Sequence, residues 1–283
     1  MFSFPKITKA DGTEEPFQQK KLRDSLRRSG TSPENIEKIV AFVERNLKTG
    51  ESTEKIYKNA YSMLKKVAPP ENAARYSLRR ALFDFGPSGF PFEDFVKEIF
   101  RAKGYIARSG VYMKGHCVTH EIDVLAEKEK ERIGCELKFH NKVGLDTDLK
   151  VALYVHARFL DIDQHSISNS EQLPFTGKYL ITNTKFTSST IEYAKCVGLS
   201  LIGWSYPRVG NLQDLIEETG LHPITCLTTI PKKIKNKLLD EKIVLCRSIK
   251  QNPMMLQKYG LKQYQIDAVF DETNRLCVPG AGV

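Results

Sequence analysis

Residues 120–140 read HEIDVLAEKEKERIGCELKFH, and the fold of the central chain turns on them. Asp123 sits in one apolar run with Ile122, Val124 and Leu125; Glu136, Leu137 and Lys138 close a second run with Ile133 and Cys135. The charged stretch 127–132 between them predicts two strands joined by a polar turn. Alternation along the second strand puts Glu136 and Lys138 on one face and Cys135 and Leu137 on the other. Pairing the strands would bring Asp123 to Glu136 and Lys138 at the edge of a sheet. Two carboxylates can hold a hard divalent cation through oxygen. A neighbouring lysine can steady or deprotonate an attacking water while the cation polarises a phosphoryl oxygen, which is the chemistry of phosphodiester hydrolysis. A strand with a solvated acid and lysine would show the same spacing. Glu121 is a spare carboxylate on the face of Asp123, and His116, His120 and His140 lie nearby in the chain.

Outward from this core, residues 92–100 carry Phe92, Phe95, Val96, Ile99 and Phe100 at helical spacing, a helix with one buried stripe and Glu93 beside it. Residues 148–161 read as a second helix, 178–183 as a strand, 191–197 as a helix and 199–204 as a strand. On these residues the stretch 90–207 resembles the Mrr-like branch of the PD-(D/E)XK nuclease superfamily. Thr182, Phe186, Thr187, Ala194, Gly198, Leu201, Ile202 and Trp204 fall where that branch has its closing strand–helix–strand motif. The resemblance implies a metal-dependent endonuclease with Asp123, Glu136 and the Leu137 carbonyl on Mg2+ or Mn2+, Lys138 on the water, and Glu93 completing the shell. The branch carries a glutamine and a tyrosine four apart on the second helix. Here they are Lys150 and Tyr154, which share a helix face and could touch phosphate.

The first eighty residues follow another pattern. Residues 7–13 read as a strand and an Asp-Gly turn, with 15–17 returning the chain. Helices follow at 19–29, 33–47, 53–67 and 71–85, with Ser32-Pro33 and Ser52-Thr53 as helix starts. Ile7, Lys9, Asp11, Gly12, Glu15, Phe17, Lys21, Leu22, Thr53, Ile56, Tyr76 and Arg79 make this segment similar to the ATP-cone, a nucleotide-sensing domain. The resemblance implies ATP or dATP as regulatory ligand at Lys9, Lys21 and Thr53. Ala10 stands where the family commonly has arginine, which removes one cation from the phosphate cradle. No P-loop is present, so nucleotide hydrolysis is not expected.

Glycines and prolines in 85–91 and 206–210 punctuate the chain. They set expected domains of 1–85 (ATP-cone), 86–208 (nuclease) and 209–283 (helical). In the last, residues 231–239 carry Lys232, Lys233, Lys235 and Lys237, and 240–246 reads as a strand or a continued helix. Residues 253–258, a Tyr-Gly-Leu turn and a helix at 262–276 resemble a helix-hairpin-helix element, with Lys258, Gly260 and Lys262 as nucleic-acid contacts. The expected class is thus a multidomain α/β (α+β) protein.

A net charge of +9 and a pI of about 9.1 favour a polyanionic partner, with DNA the first candidate. No apolar run approaches the roughly 20 residues of a membrane span, and the opening MFSFPKITK has no leader core. Six dispersed cysteines without zinc spacing point to free thiols in a reducing cytoplasm. A homodimer would supply the two sites that a double-strand break requires. The combined expectation is an endonuclease controlled by nucleotide, with a non-catalytic nucleotide-sensing DNA-binding regulator as the alternative.

Overall fold

The computed structural model describes residues 5–87, 89–168 and 173–280. Part of the opening stretch, and Ser88 in the glycine- and proline-rich joint, lie outside the described residues. The protein is a mixed α/β structure with helices at both ends of the chain and a mixed sheet flanked by helices between them.

The amino-terminal segment begins with β1 (Lys6–Thr8) and β2 (Glu14–Pro16), antiparallel as the Asp-Gly turn predicts. Asp11 Oδ1 accepts from the N–H and hydroxyl of Thr13 at 3.0 and 2.7 Å, and Gly12 takes φ +83°, open to glycine at little cost. Helices α1 (Gln19–Arg28) and α2 (Pro33–Asn46) follow, then β3 (Glu51–Ser52) and α3 (Thr53–Val67). Ser32 and Ser52 cap α2 and α3, their hydroxyls accepting from Asn35 and Lys55 N–H. Strand β3 lies parallel to β1, Ile7 opposite Glu51. The expected fourth helix is two, α4 (Pro70–Tyr76) and α5 (Leu78–Phe83), parted at Ser77, whose hydroxyl bonds back to the Ala74 carbonyl at 2.9 Å.

The middle of the chain opens with α6 (Phe90–Ala102) and three antiparallel strands, β4 (Ile106–Lys114), β5 (Thr119–Lys128) and β6 (Glu131–Lys138). After β7 (Asp146–Thr147), helix α7 (Leu149–Ser168) crosses to β8 (Gly177–Thr182), which pairs parallel to β6. Then come β9 (Lys185–Phe186), α8 (Ser188–Val197), β10 (Ser200–Ile202) and α9 (Leu212–Thr219). The sheet order is β10-β8-β6-β5-β4, so β6 is its central strand and not an edge. Helix α6 covers one face, with Phe100 against Tyr179 at 6.4 Å. Helix α7 covers the other, where a Cβ added to Gly134 would lie 2.6 Å from the Phe159 ring.

The last segment holds a 3-10 turn (Ile224–Cys226), α10 (Lys232–Asp240), α11 (Cys246–Gln251), a 3-10 helix (Pro253–Tyr259) and α12 (Gln263–Leu276). Of the stretch 240–246, residues 241–245 are neither strand nor continued helix: α10 stops at Asp240, Lys242 takes φ +61°, and α11 begins at Cys246. The expected order of three consecutive domains also changes. Leu82–Leu221 is one compact unit, and the residues before and after it form the other. The cause is a shared core in which Ala74 and Ala81 pack with Ile224, Leu238, Ile249 and Val269. Thr225 also donates to the Ala81 carbonyl at 2.7 Å.

The helix-hairpin-helix reading of 253–276 loses its chemistry here. The Gly260 N–H is bonded to Gln257 O at 2.9 Å and the Lys262 N–H to Gln265 Oε1 at 3.0 Å, so both turn amides are engaged within the chain. Lys258 is paired with Glu241. Helix α12 is acidic rather than basic, with Asp267, Asp271 and Glu272 against Arg275.

Candidate metal and nucleotide sites

The β5–β6 ladder runs only to the pair Val124–Cys135. Beyond it the strands part, and Asp123 fills the opening: its Oδ2 accepts the Leu137 N–H at 2.6 Å. This satisfies a backbone donor that the ladder has abandoned and fixes the carboxylate beside the next residue of β6. Glu136, 6% exposed, faces the same opening. Burial raises the Asp123 carboxyl above its ordinary value. Burial, then the Asp123 charge, pushes Glu136 up to about 7. Burial, then Asp123 and Glu121, does the same to Glu93 in the first turn of α6, also to about 7. The Asp123 charge therefore acts on both of the other expected metal-site acids, Glu93 and Glu136. Lys138 follows Glu136 on the same strand face, its carbonyl accepting the Thr182 hydroxyl at 2.7 Å. Among the described residues, however, no group of three or more His, Cys, Asp or Glu is gathered so as to hold an ion.

Arg158 is the residue that the sequence reading missed. It pairs with Glu136, donates to the Glu121 carbonyl at 3.2 Å and lies 5.8 Å from the Tyr154 ring. It continues the Lys150–Tyr154 helix face by one more step of four, and that continued spacing was its only signal. Tyr154 is 44% exposed and Lys150 is exposed, so this side of α7 carries two cations and a ring beside the acids. His120 lies elsewhere in effect: its Nε2 bonds Asp161 at 2.7 Å, and Asp161 also accepts from Cys117 and Val118 N–H at 2.8 and 3.3 Å. It locks the β4–β5 turn. His140 bonds Thr147 Oγ1 at 3.2 Å; its N–H donates to Asn183 Oδ1 at 2.9 Å, and its carbonyl accepts from Asn183 Nδ2 at 2.8 Å.

In the amino-terminal segment a cleft of about 180 Å³ is lined by Glu15, Phe17, Lys21, Thr53, Tyr57 and Tyr76, among others. Glu15 draws the two expected lysines together, 2.8 Å from Lys9 and 3.0 Å from Lys21, and their hydrogen bonds hold its carboxyl below the ordinary range. Lys9 reaches the cleft only through Glu15. Thr53 opens α3, whose N-terminus favours an anion. Tyr57 and Tyr76 stack at 5.2 Å, and the Arg80 guanidinium covers Tyr57 at 3.9 Å while pairing with Glu54, which it holds down at about 2. The sequence reading gave Tyr76 no stacking partner.

Residues 5–84 match the ATP cone domain family, and residues 222–277 match the family described as AF1548-like, C-terminal. An uncharacterized protein of Archaeoglobus fulgidus is 38% identical over 182 residues, which is 64% of this chain and 99% of the relative. The crystal structure of the protein of unknown function AF1548 is similar with a TM-score of 0.53 at 35% identity, over 67% of this chain and 98% of that one.

Proposed function

The chain belongs to the family of AF1548-like proteins, and on that premise we propose that it is a divalent-metal-dependent endonuclease, acting on DNA, whose activity is set by ATP or dATP at its ATP cone. The observation that carries this reading is the opening between β5 and β6, where Asp123 is tied to β6 through the Leu137 N–H and where burial, and then the Asp123 charge, pushes both Glu136 and Glu93 up. The donor set is all oxygen, which suits Mg2+ or Mn2+. Asp123, Glu136 and the Leu137 carbonyl would hold the ion, with Glu93 at its rim. When bound, it would polarise a phosphoryl oxygen and supply an acidified water. Lys138 would orient that water and stabilise charge developing on phosphorus. Lys150, Tyr154 and Arg158 offer cations and a stacking ring to the phosphate backbone. The basic net charge fits a polyanionic substrate.

Nucleotide would bind at Lys21 and Thr53, with Lys9 joined through Glu15, and would act by preferring one state of the protein over another. A dimer would place two such centres on a duplex. The Arg158–Glu136 pair favours the second reading, a non-catalytic nucleotide-sensing DNA binder, because it already neutralises one of the metal carboxylates.

Plasmid nicking with Mg2+ and Mn2+ separates the two. The parent should nick, and Asp123→Ala and Lys138→Ala should not. A parent inert on DNA with both ions, with and without ATP and dATP, would leave the binder. Calorimetric titration with ATP and dATP tests the cone, and absence of heat at millimolar nucleotide would remove the regulatory part.

A further inference from the structure

Three of the six cysteines meet in the core that the last sixty residues share with α4. Cys226 and Cys246 are buried in it and Cys277 packs against it. Cys246 opens α11; its Sγ lies 3.3 Å from the Pro223 carbonyl and within hydrogen-bond reach of both other thiols. Cys277 directly follows α12, its N–H closing the helix on Thr273 O at 2.9 Å, and keeps part of its surface in solvent. The positive charges of Lys250, Arg247 and Arg75 act on it.

We infer that Cys277 and Cys246 form a reversible dithiol site whose oxidant is a hydroperoxide, with Cys277 the attacking sulfur and Cys246 the resolving one. The ingredients of a thiol sensor are a stabilised thiolate, access and an adjacent second thiol. Here Cys277 is held below its ordinary value, first by its hydrogen bond with Cys246 and then by the three cations, whereas burial pushes Cys246 well up; Cys277 is also the one of the two that reaches solvent. In the first step the Cys277 thiolate attacks one peroxide oxygen. An S–O bond forms, the O–O bond breaks, and the sulfur loses two electrons to the peroxide, which leaves as alkoxide or hydroxide and takes a proton from water. In the second, Cys246 attacks the Cys277 sulfur. An S–S bond forms, the S–O bond breaks, and the leaving hydroxide takes the Cys246 proton as water.

The disulfide would tie the start of α11 to the end of α12. The last turn of α12 grips α4: Arg75 donates to the Arg275 carbonyl at 3.2 Å, and Arg275 pairs with Glu71 at 3.2 Å. The site thus sits where the AF1548-like segment joins the ATP cone segment.

The two exposed cysteines are built-in controls. Cys117 is open to solvent, but its hydrogen bond to Asp161 pushes its thiol up. Cys196 is exposed as well. The full-length protein is treated with less than one equivalent of hydrogen peroxide, quenched by alkylation and mapped by mass spectrometry. Cys277 should be consumed about tenfold faster than Cys117, as its larger thiolate fraction predicts. The product should be a Cys246–Cys277 disulfide that dithiothreitol reverses. Cys246→Ser should stop at a Cys277 sulfenic acid trapped by dimedone, and Cys226→Ser should give the parental disulfide. Alkylation rates on the unmodified protein give the same comparison should a variant fold poorly. Oxidation that begins at Cys117 or Cys196, equal rates at all exposed thiols, or one equivalent of zinc held by these three sulfurs in the purified protein would overturn the assignment.

Discussion

Gly134 sets the distance between α7 and the sheet, and Gly134→Ala tests whether that distance builds the site. A Cβ there would stand 2.6 Å from Phe159 Cε1 and 2.7 and 2.9 Å from Phe175 Cε1 and Cζ. Carbon atoms in good contact are about 3.5–4.0 Å apart, so the overlap is near 1 Å against two rings at once. Neither ring has room to turn aside, because Phe159 and Phe175 are buried and packed edge to face at 5.3 Å. The strand and helix must separate instead, an overpacking cost of about 1–3 kcal/mol. For a unit of this size that is a drop of roughly 4–12 °C in Tm. The functional signature is more telling. Arg158 is the residue before Phe159, and its partner Glu136 lies two residues beyond Gly134 on the same strand face. Lifting α7 therefore carries Lys150, Tyr154 and Arg158, the proposed phosphate contacts, away from the acids, and nicking at a temperature well below Tm should fall along with stability. Phe175→Leu in the alanine background removes part of the obstruction, so the double variant should be more stable than the two single losses predict. Scanning calorimetry reads all four proteins. A Gly134→Ala protein that melts with the parent, or a strictly additive double variant, would refute the reasoning.

Other consequences follow from single contacts. Glu272 is buried and accepts from the N–H and hydroxyl of both Thr228 and Thr229; Glu272→Ala leaves those donors unpaired and should cost at least about 3 kcal/mol in urea titration. At the β4–β5 turn, a Cβ on Gly115 would strike the Asp161 carboxylate and the Val118 carbonyl, so Gly115→Ala should open that turn to amide hydrogen exchange. Asp161 is held below its usual carboxylate value, first by the hydrogen bond from His120. A depressed folded pKa stabilises above the unfolded value, so the turn's protection should be complete above the ordinary aspartate value of 3.8 and fade as pH falls below it toward the folded value; protection that stayed constant as the pH fell below 3.8 would refute this role of the Asp161 carboxylate. Ala10 is exposed beside Lys9, and Ala10→Arg should tighten ATP binding by roughly 3- to 10-fold by calorimetry, about 1 kcal/mol.

What could be read from sequence, and what could not, divides by the range of the interactions. Asp11-Gly12 and the serines before α2 and α3 act within four residues of themselves, so the hairpin and both helix starts appear where the residues imply. The strands holding Asp123 and Glu136 also appear, because alternation over eight to ten residues is a local record of burial. The parallel pairing of β3 with β1 left no such record, nor did the sharing of one core by Ala74 and Leu238, since those contacts depend on surfaces that meet only after folding. The site shows the same division. Its acids were legible, but the placement of β6 at the sheet centre was not, and this changes the electrostatics. An edge strand would leave Glu136 in water near its ordinary pKa. A central one buries it beneath α7, where its charge needs a counterion. Arg158 supplies that counterion in this structure, and any cation that takes Glu136 must displace it. Arg158→Gln thereby separates the two functional readings: under the nuclease reading it should tighten Mn2+ binding, measured by electron paramagnetic resonance, while weakening DNA binding. Under the binder reading it should weaken DNA binding and create no Mn2+ site.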